Sequence, residues 1–164
     1  RASLAQLLEQ AKFKIFDVNL RPPHYDIERI LATMKLADLV KLNDDELHEI
    51  ASTLGSKYHS LEQNIRFLSD LSGTAKMCVT LGRHGAIYYQ DGLMYYHGGF
   101  HVKVADTVGS GDSFLAGLTY KLLNNAAPQE AVTFACALGA LVASHHGATP
   151  EISLKQIESF MNPA

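Results

Sequence analysis

A glycine-rich turn, Gly109-Ser110-Gly111-Asp112, separates a stretch of short predicted strands from an apolar helical segment. Glycine has no Cβ, so the backbone at Gly109 and Gly111 can approach a ligand closely and adopt positive φ. The helix predicted to begin at Asp112 would add the positive end of its dipole, and these features together are typical of an anion site. A tight turn in which Asp112 only caps the helix is the plainer interpretation of the same residues.

The carboxylate inside this loop indicates a particular chemistry. A bound phosphate repels Asp112 unless the side chain has a chemical role, and phosphoryl transfer to an alcohol supplies one. A base then takes the hydroxyl proton while backbone donors stabilise charge on the moving phosphoryl group. Two common phosphate-binding loops are excluded. No Lys-Ser or Lys-Thr pair follows Gly111, as a Walker loop requires, and Phe114 stands where the dinucleotide fingerprint needs its third glycine.

Three further loops carry polar or glycine residues at the end of a predicted strand or directly after it. These residues are Asn19 and Arg21, then Asn43 and Glu46, then Thr80, Gly82 and Gly85. Ligands of parallel sheets gather outside the carboxyl ends of the strands, so we expect the loops to lie at the same edge as the glycine turn. Each loop also has a plainer interpretation: a solvated Arg before a Pro-Pro turn, a capping box, and a strand-to-strand turn.

The elements that must position these loops alternate along the chain. Strands are predicted over 14–19, 37–42 and 76–81, with a hairpin around Asp91-Gly92 that joins 86–90 to 93–97. One helix is predicted to start after its cap residue, Ser3, and a second runs from Ile27 to Met34. Further helices are predicted from Asn43 through Leu54 and over 61–71, 112–124, 128–146 and 153–161. This order predicts an α/β fold with a parallel sheet covered by helices, a hairpin at one edge, and a single domain over 1–164.

The composition of the chain restricts its partners. With 164 residues, 47% of them apolar, and a net charge of −3, the chain suits a globular domain and lacks the basic face that nucleic acid requires. No apolar run is long enough to cross a membrane, and no secretory signal heads the sequence. Cys78 and Cys136 lie in apolar runs, which predicts reduced, buried thiols and a cytoplasmic protein.

The segment DTVGSGDSFLAGL, residues 106–118, resembles the C-terminal signature of the ribokinase-like (PfkB-type) carbohydrate kinases. Asn43-x-x-Glu46, VTLGRHGA (79–86) and FDVNLRPPHYD (16–26) are similar to other segments of that family, in the expected order, and the last is most similar to fructokinase-like members. The resemblance implies a ribokinase-like, Rossmann-like fold. It covers only the second half of a typical member, without the N-terminal half and its lid.

The resemblance also implies roles for individual residues. Asp112 would be the catalytic base, and Gly109, Ser110 and Gly111 the anion hole. The implied ATP and Mg²⁺ contacts are Asn43, Glu46 (Mg²⁺ through water), Thr80, Gly82, Gly85 and Cys136, with Asn19 and Arg21 at the substrate. A monovalent-cation site, for K⁺, would use Asp106, the Val108 carbonyl and carbonyls near Gly147. Cys136 stands where relatives often carry Asn or His, and Glu151 where some carry Ser.

The function expected from this resemblance is ATP-dependent phosphorylation of a sugar primary hydroxyl. Two alternatives stay open: a noncatalytic nucleotide-binding remnant or assembly subunit, and a kinase of the same fold that acts on a nucleoside or another small alcohol. The expected partners are a sugar and ATP, without nucleic acid or membrane, and a homodimer is left open.

Overall fold

The computed structural model describes residues 7–163. Five strands form one sheet whose order follows the chain: β1 (Ile15–Asp17), β2 (Leu39–Asn43), β3 (Lys76–Thr80), β4 (Ala86–Gln90) and β5 (Leu93–His97). β1 and β2 are parallel. The connection between β3 and β4 is too short for a parallel crossover, so the sheet is mixed. The chain divides into two compact units, one with residues up to Val79 and Tyr89–Leu93, the other with Thr80–Tyr88 and residues from Met94 onward.

The first unit carries three capped helices, α1 (Ile27–Met34), α2 (Asp44–Thr53) and α3 (Leu61–Ser72). Asp26, Asn43 and Ser60 accept hydrogen bonds from first-turn N–H groups, which satisfies donors that a helix start leaves unpaired. These helices confirm the predicted ones within a residue or two. Residues 7–10 are also helical, whereas the predicted cap at Ser3 lies outside the described residues.

The core of the first unit is formed by apolar side chains that recur at helical or strand spacing in the sequence. Its fully buried side chains include Met34, Leu39, Leu42, Leu47, Ile50, Ile65, Leu68 and Met77. A buried threonine also joins separate elements, since Thr74 Oγ1 donates to the Met34 carbonyl over 2.8 Å. This bond joins the end of α1 to the segment between α3 and β3.

The predicted hairpin is confirmed. Asp91 has φ 50° and Gly92 has φ 89°, the two positive values that a type I′ turn requires between right-twisted strands. β4 and β5 lie at one end of the strand order, as expected for an edge hairpin. The rings of Tyr88 and Tyr95 pack across the pair with centroids 6.2 Å apart.

The second unit contains three helices, α4 (Ser110–Leu123), α5 (Pro128–Ala143) and α6 (Leu154–Met161). α5 is apolar nearly all round, and nine of its 16 residues are buried. Small residues bring α4 and α5 close together: a Cβ added at Gly117 would lie 3.2 Å from Leu138 Cδ2, and one at Gly139 would lie 3.3 Å from the Ser110 carbonyl oxygen.

The start of α4 differs from the prediction. The helix begins at Ser110, two residues before the predicted start at Asp112, and Gly109 is its N-cap residue. Of the two loop glycines, only Gly109 has positive φ. The glycine-rich composition suggested a longer loop, but one left-handed residue is enough to turn the chain into the helix.

Cys78 and Cys136 are both buried, and neither forms a disulfide, as predicted. No helix within the described part of the chain combines the length and the apolar character that a membrane crossing needs.

Candidate active site

The loop that precedes α4 depends on a glycine at position 109. Gly109 has φ 78° and ψ −7°, the left-handed conformation that side chains disfavour. A Cβ at this position would also collide with the Ala148 carbonyl oxygen and lie 2.8 Å from Ala148 Cα. Position 109 therefore requires glycine for two reasons, its backbone angle and the close approach of the segment around Ala148. The sequence did not indicate that Ala148 would be a neighbour.

In the part of the chain that the structure describes, some N–H groups in the first turn of α4 meet no backbone acceptor. Gly109 offers no side chain as a cap. Among the described residues, the N–H groups of Gly111 and Asp112 meet no backbone acceptor, while the Ser110 N–H is 3.3 Å from the Thr107 carbonyl oxygen. The Asp112 carboxylate is exposed in the same turn. Free N–H groups at a helix start attract an anion, and here a carboxylate lies beside them.

The start of α4 is anchored to α5. Ser110 Oγ donates to the Gly139 carbonyl oxygen over 3.0 Å. Because Gly139 lies in the buried interior of α5, this bond ties the first residue of α4 to a packed helix. The Ser110 side chain therefore positions the start of α4 against α5, and the backbone of the turn is left to contact a ligand.

Asp106 draws two separated segments together. Its Oδ1 accepts from the Val108 N–H over 3.0 Å, and its Oδ2 accepts from the Gly147 N–H over 3.3 Å. The bond from Val108, then that from Gly147, hold the pKa of the Asp106 carboxyl below its ordinary value, and the charge of His146 acts in the same direction. The three residues predicted for a monovalent-cation site are therefore close in space.

The predicted residues Thr80, Gly82 and Gly85 lie at the end of β3 and in the turn that follows it. A short 3₁₀ segment, Gly82–His84, is closed by the Leu81 N–H, which donates to the Gly85 carbonyl oxygen over 2.8 Å. A Cβ at Gly85 would collide with the His97 carbonyl oxygen, so this glycine permits close packing of the following strand pair. Gly82 has φ 56° and open space around its Cα, so nothing in the packing of the chain explains it.

The predicted capping box at the start of α2 is confirmed, and it extends further than expected. Asn43 Oδ1 accepts from the Glu46 N–H over 2.8 Å, and Glu46 Oε2 accepts from the Asn43 N–H over 2.9 Å. The other carboxylate oxygen, Oε1, accepts from the Leu20 N–H over 2.7 Å. Glu46 is only 7% exposed, so this buried carboxylate joins the loop after β1 to the start of α2.

The loop after β1 presents both predicted substrate residues to solvent. Asn19 is exposed and has φ 45°, a left-handed angle that asparagine tolerates better than most residues. Arg21 is exposed, and its Nη1 donates to the Leu20 carbonyl oxygen over 3.0 Å. The Pro22–Pro23 peptide bond that follows is cis. The first unit thus brings Asn19 and Arg21 together with Asn43 and Glu46 through the Leu20–Glu46 bond.

An ion pair between β1 and β2 was missed by sequence reasoning. Lys41 Nζ lies 3.1 Å from Asp17 Oδ1, and the two side chains are 9% and 16% exposed. The available signal was a lysine inside the otherwise apolar run of β2, but its partner depends on the strand register. Asp17 and Lys41 are direct neighbours in that register.

Cys136, predicted to face the nucleotide, lies within α5 and is 6% exposed. Burial raises the pKa of its thiol to about 12. The side chain is therefore a neutral, apolar surface, and any contact it makes with a ligand would be a packing contact.

Comparison with known proteins gives the family. The model for the pfkB family carbohydrate kinases matches residues 1–155, and the chain belongs to this family. Fructokinase-2 of Solanum lycopersicum is 29% identical over 93% of the chain and 50% of its own length. The chain spans about half the length of the curated relatives it matches, as expected of a chain that resembles one half of a typical member.

Solved structures agree with the predicted ribokinase-like fold. A double-mutant fructokinase from Vibrio cholerae, with fructose, ADP and potassium bound, superposes with a TM-score of 0.79 at 28% identity over 98% of this chain and 54% of that one. An aminoimidazole riboside kinase from Salmonella enterica, complexed with aminoimidazole riboside and an ATP analogue, gives a TM-score of 0.77 at 27% identity over 98% and 56% of the two chains.

Proposed function

We propose that the protein transfers the γ-phosphoryl group of ATP to a primary hydroxyl of a sugar, as a fructokinase-like member of its family. The observation that carries this proposal is the start of α4, where the N–H groups of Gly111 and Asp112 lie beside an exposed carboxylate and meet no backbone acceptor within residues 7–163. The names of the relatives support the same chemistry, since they include fructokinases and a structure with fructose and ADP.

In this proposal the second unit supplies the chemistry of transfer. Asp112 takes the proton of the attacking hydroxyl, and the turn of Gly109, Ser110 and Gly111 receives the negative charge of the phosphoryl group, chiefly at the Gly111 N–H. A preorganised donor of this kind stabilises a transition state by about 3 kcal/mol. The Ser110–Gly139 bond supports the role because it holds the turn rigid against α5.

The nucleotide and its metal would use further family positions. Thr80, Gly82 and Gly85 would lie along the phosphates, with Cys136 packing near the base. Within residues 7–163 no three His, Cys, Asp or Glu side chains form a metal-binding group. Mg²⁺ commonly keeps several waters and takes few protein ligands, so the residues fit a water-mediated role. Asn43 and Glu46 would hold those waters, because each Glu46 oxygen retains a lone pair after accepting one N–H. The bound ion would offset the charge of the phosphates.

A monovalent cation fits the Asp106 segment. The Asp106 carboxylate holds Val108 and Gly147 near each other, and a K⁺ ion would take oxygen ligands from Asp106 and from carbonyls of both segments. Such an ion would stabilise the loop that leads into Gly109. The potassium-bound relative supports this assignment.

Two other functions compete with the sugar kinase. One is a nucleotide-binding subunit or remnant without turnover of its own. The aminoimidazole riboside kinase is about as similar as the fructokinases, which favours a nucleoside acceptor. The difference between these functions is measurable as acceptor-dependent ADP formation.

The test is ADP release from Mg-ATP by this chain with a panel of sugars and nucleosides, together with nucleotide binding by calorimetry. We expect Asp112→Asn to lower kcat/KM by about 100-fold or more while leaving Mg-ATP affinity unchanged. Glu130→Gln, which alters a carboxylate in the first turn of α5, is the matched control and should retain wild-type turnover. Near-normal turnover of Asp112→Asn would refute the base, and nucleotide binding without ADP for any acceptor would favour the subunit.

A further inference from the structure

Lys41 is an unusual residue for the centre of a buried strand. It is 7% exposed, and its neighbours Val40 and Leu42 are fully buried. Burial of an ammonium group is unfavourable unless the group is paired, and apolar residues of similar volume usually serve a fold equally well. A lysine in this position therefore calls for an explanation beyond the packing of the sheet.

The surroundings of Lys41 connect it to the loop after β1. Its Nζ donates to Asp17 Oδ2 over 3.4 Å and lies 3.1 Å from Oδ1. The closer oxygen, Oδ1, is buried and has no hydrogen-bond partner within the described residues. Its interaction with Lys41 is therefore an ion pair without a hydrogen bond. The Lys41 carbonyl also accepts from the Val18 N–H over 3.0 Å. One residue thus holds Asp17 by its side chain and Val18 by its backbone.

The same loop is held a second time two residues later. The Leu20 N–H donates to Glu46 Oε1, and between the two attachments Asn19 adopts φ 45°. Left-handed angles at non-glycine residues persist only where the surroundings impose them. The residues that form the attachments are buried or half-buried, whereas Asn19 and Arg21 are exposed. Buried contacts therefore determine the direction in which two solvent-facing polar side chains are presented.

We propose that the buried Lys41–Asp17 pair is a positioning device for the substrate loop, which sets the placement of Asn19 and Arg21 without itself touching substrate. The expected effect on kcat/KM rests on the proposed kinase function. The attachment of the loop after β1 by Lys41 and Asp17 does not depend on that function. Lys41 and Asp17 act through the backbone of Val18–Leu20, and Glu46 is the second attachment.

The test uses Lys41→Met/Asp17→Asn, which removes both charges and nearly preserves both shapes. A single substitution would leave one buried charge unpaired and is avoided for that reason. We expect the urea midpoint to stay close to that of the unaltered chain, while amide hydrogen exchange at Leu20 accelerates by about tenfold or more and kcat/KM for the acceptor falls by about 10- to 100-fold. Lys121→Met/Glu130→Gln removes the ion pair between α4 and α5 and should leave the Leu20 exchange and kcat/KM unchanged.

Two results would overturn the proposal. One is a double variant with unchanged Leu20 exchange and unchanged kcat/KM. The other is a Leu20 amide that is not protected from hydrogen exchange in the unaltered chain. This measurement does not depend on whether any variant folds. If the unaltered chain forms no ADP with any acceptor, the kinase function fails, and Leu20 exchange in the double variant then decides by itself whether the ion pair holds the loop.

Discussion

The substitution Gly109→Ala should be far more damaging than its small size suggests. Gly109 is at φ 78°, and a Cβ there would lie 2.8 Å from Ala148 Cα, with Ala148 Cβ at 2.9 Å. Carbon atoms in good contact are about 3.5–4.0 Å apart, so the segment at Ala148 would have to move by most of an ångström. The loop that leads into α4 and the segment after α5 would then separate.

The size of the effect can be divided into two parts. A left-handed angle costs an alanine about 1–2 kcal/mol relative to glycine. Forcing a methyl group into an occupied space costs a further 1–3 kcal/mol or so. We therefore expect Gly109→Ala to lower the free energy of unfolding by about 2–5 kcal/mol.

Two glycines in the same chain separate these parts. Gly73 has φ 73° and ψ 12°, almost the angles of Gly109, but nothing lies within 4 Å of an added Cβ. Gly147, in the same unit as Gly109, has φ 87° and is equally open. Gly73→Ala and Gly147→Ala should each cost only the conformational part, about 1–2 kcal/mol.

The assay is urea unfolding followed by far-ultraviolet circular dichroism, since the chain has no Trp to report by fluorescence. The free energy lost in Gly109→Ala should exceed that lost in either control by about 1–3 kcal/mol. If all three variants lose the same free energy, the close approach of Ala148 does not constrain this loop, and the reasoning about position 109 is wrong.

Two further predictions concern titratable groups. Because burial raises the pKa of Cys136 to about 12, thiol reagents should modify the folded chain about 100-fold or more slowly than the urea-unfolded chain, and equal rates would show an accessible thiol. The pKa of Asp106 is lowered on folding, so its contribution to stability is complete above the ordinary carboxyl value of 3.8 and is lost as the pH falls through the lowered value. The stability difference between the unaltered chain and Asp106→Asn should therefore be constant near neutral pH and shrink in acid, and a difference that grows in acid would contradict this.

Local signals in the sequence were sufficient for most elements. Asn43 and Glu46 predicted both the start of α2 and its capping box, because the bonds involved span only three residues. Asp91-Gly92 predicted the hairpin because few residue pairs accept positive φ twice. The start of α4 was placed two residues late because glycine propensity counted against the helix at Gly111, and packing of the first turn against α5 outweighed it.

Contacts between distant parts of the chain were beyond the sequence pattern. The Lys41–Asp17 pair depends on the register of β1 against β2, and the approach of Ala148 to Gly109 depends on how the segment after α5 returns. The proximity of Asp106 and Gly147 was expected only through the family resemblance, since 41 residues separate them. Periodicity and capping describe neighbours along the chain, whereas these contacts require the completed fold.

The double use of Glu46 has a consequence for the order in which the chain folds. Its bonds with Asn43 close within a single helical turn, whereas its bond with Leu20 closes a loop of 26 residues. Short loops close at a lower entropic cost, so we expect the capping box to form before the Leu20 bond. The acceptor would then be oriented before the loop after β1 packs against it, and this loop would take its shape from the start of α2.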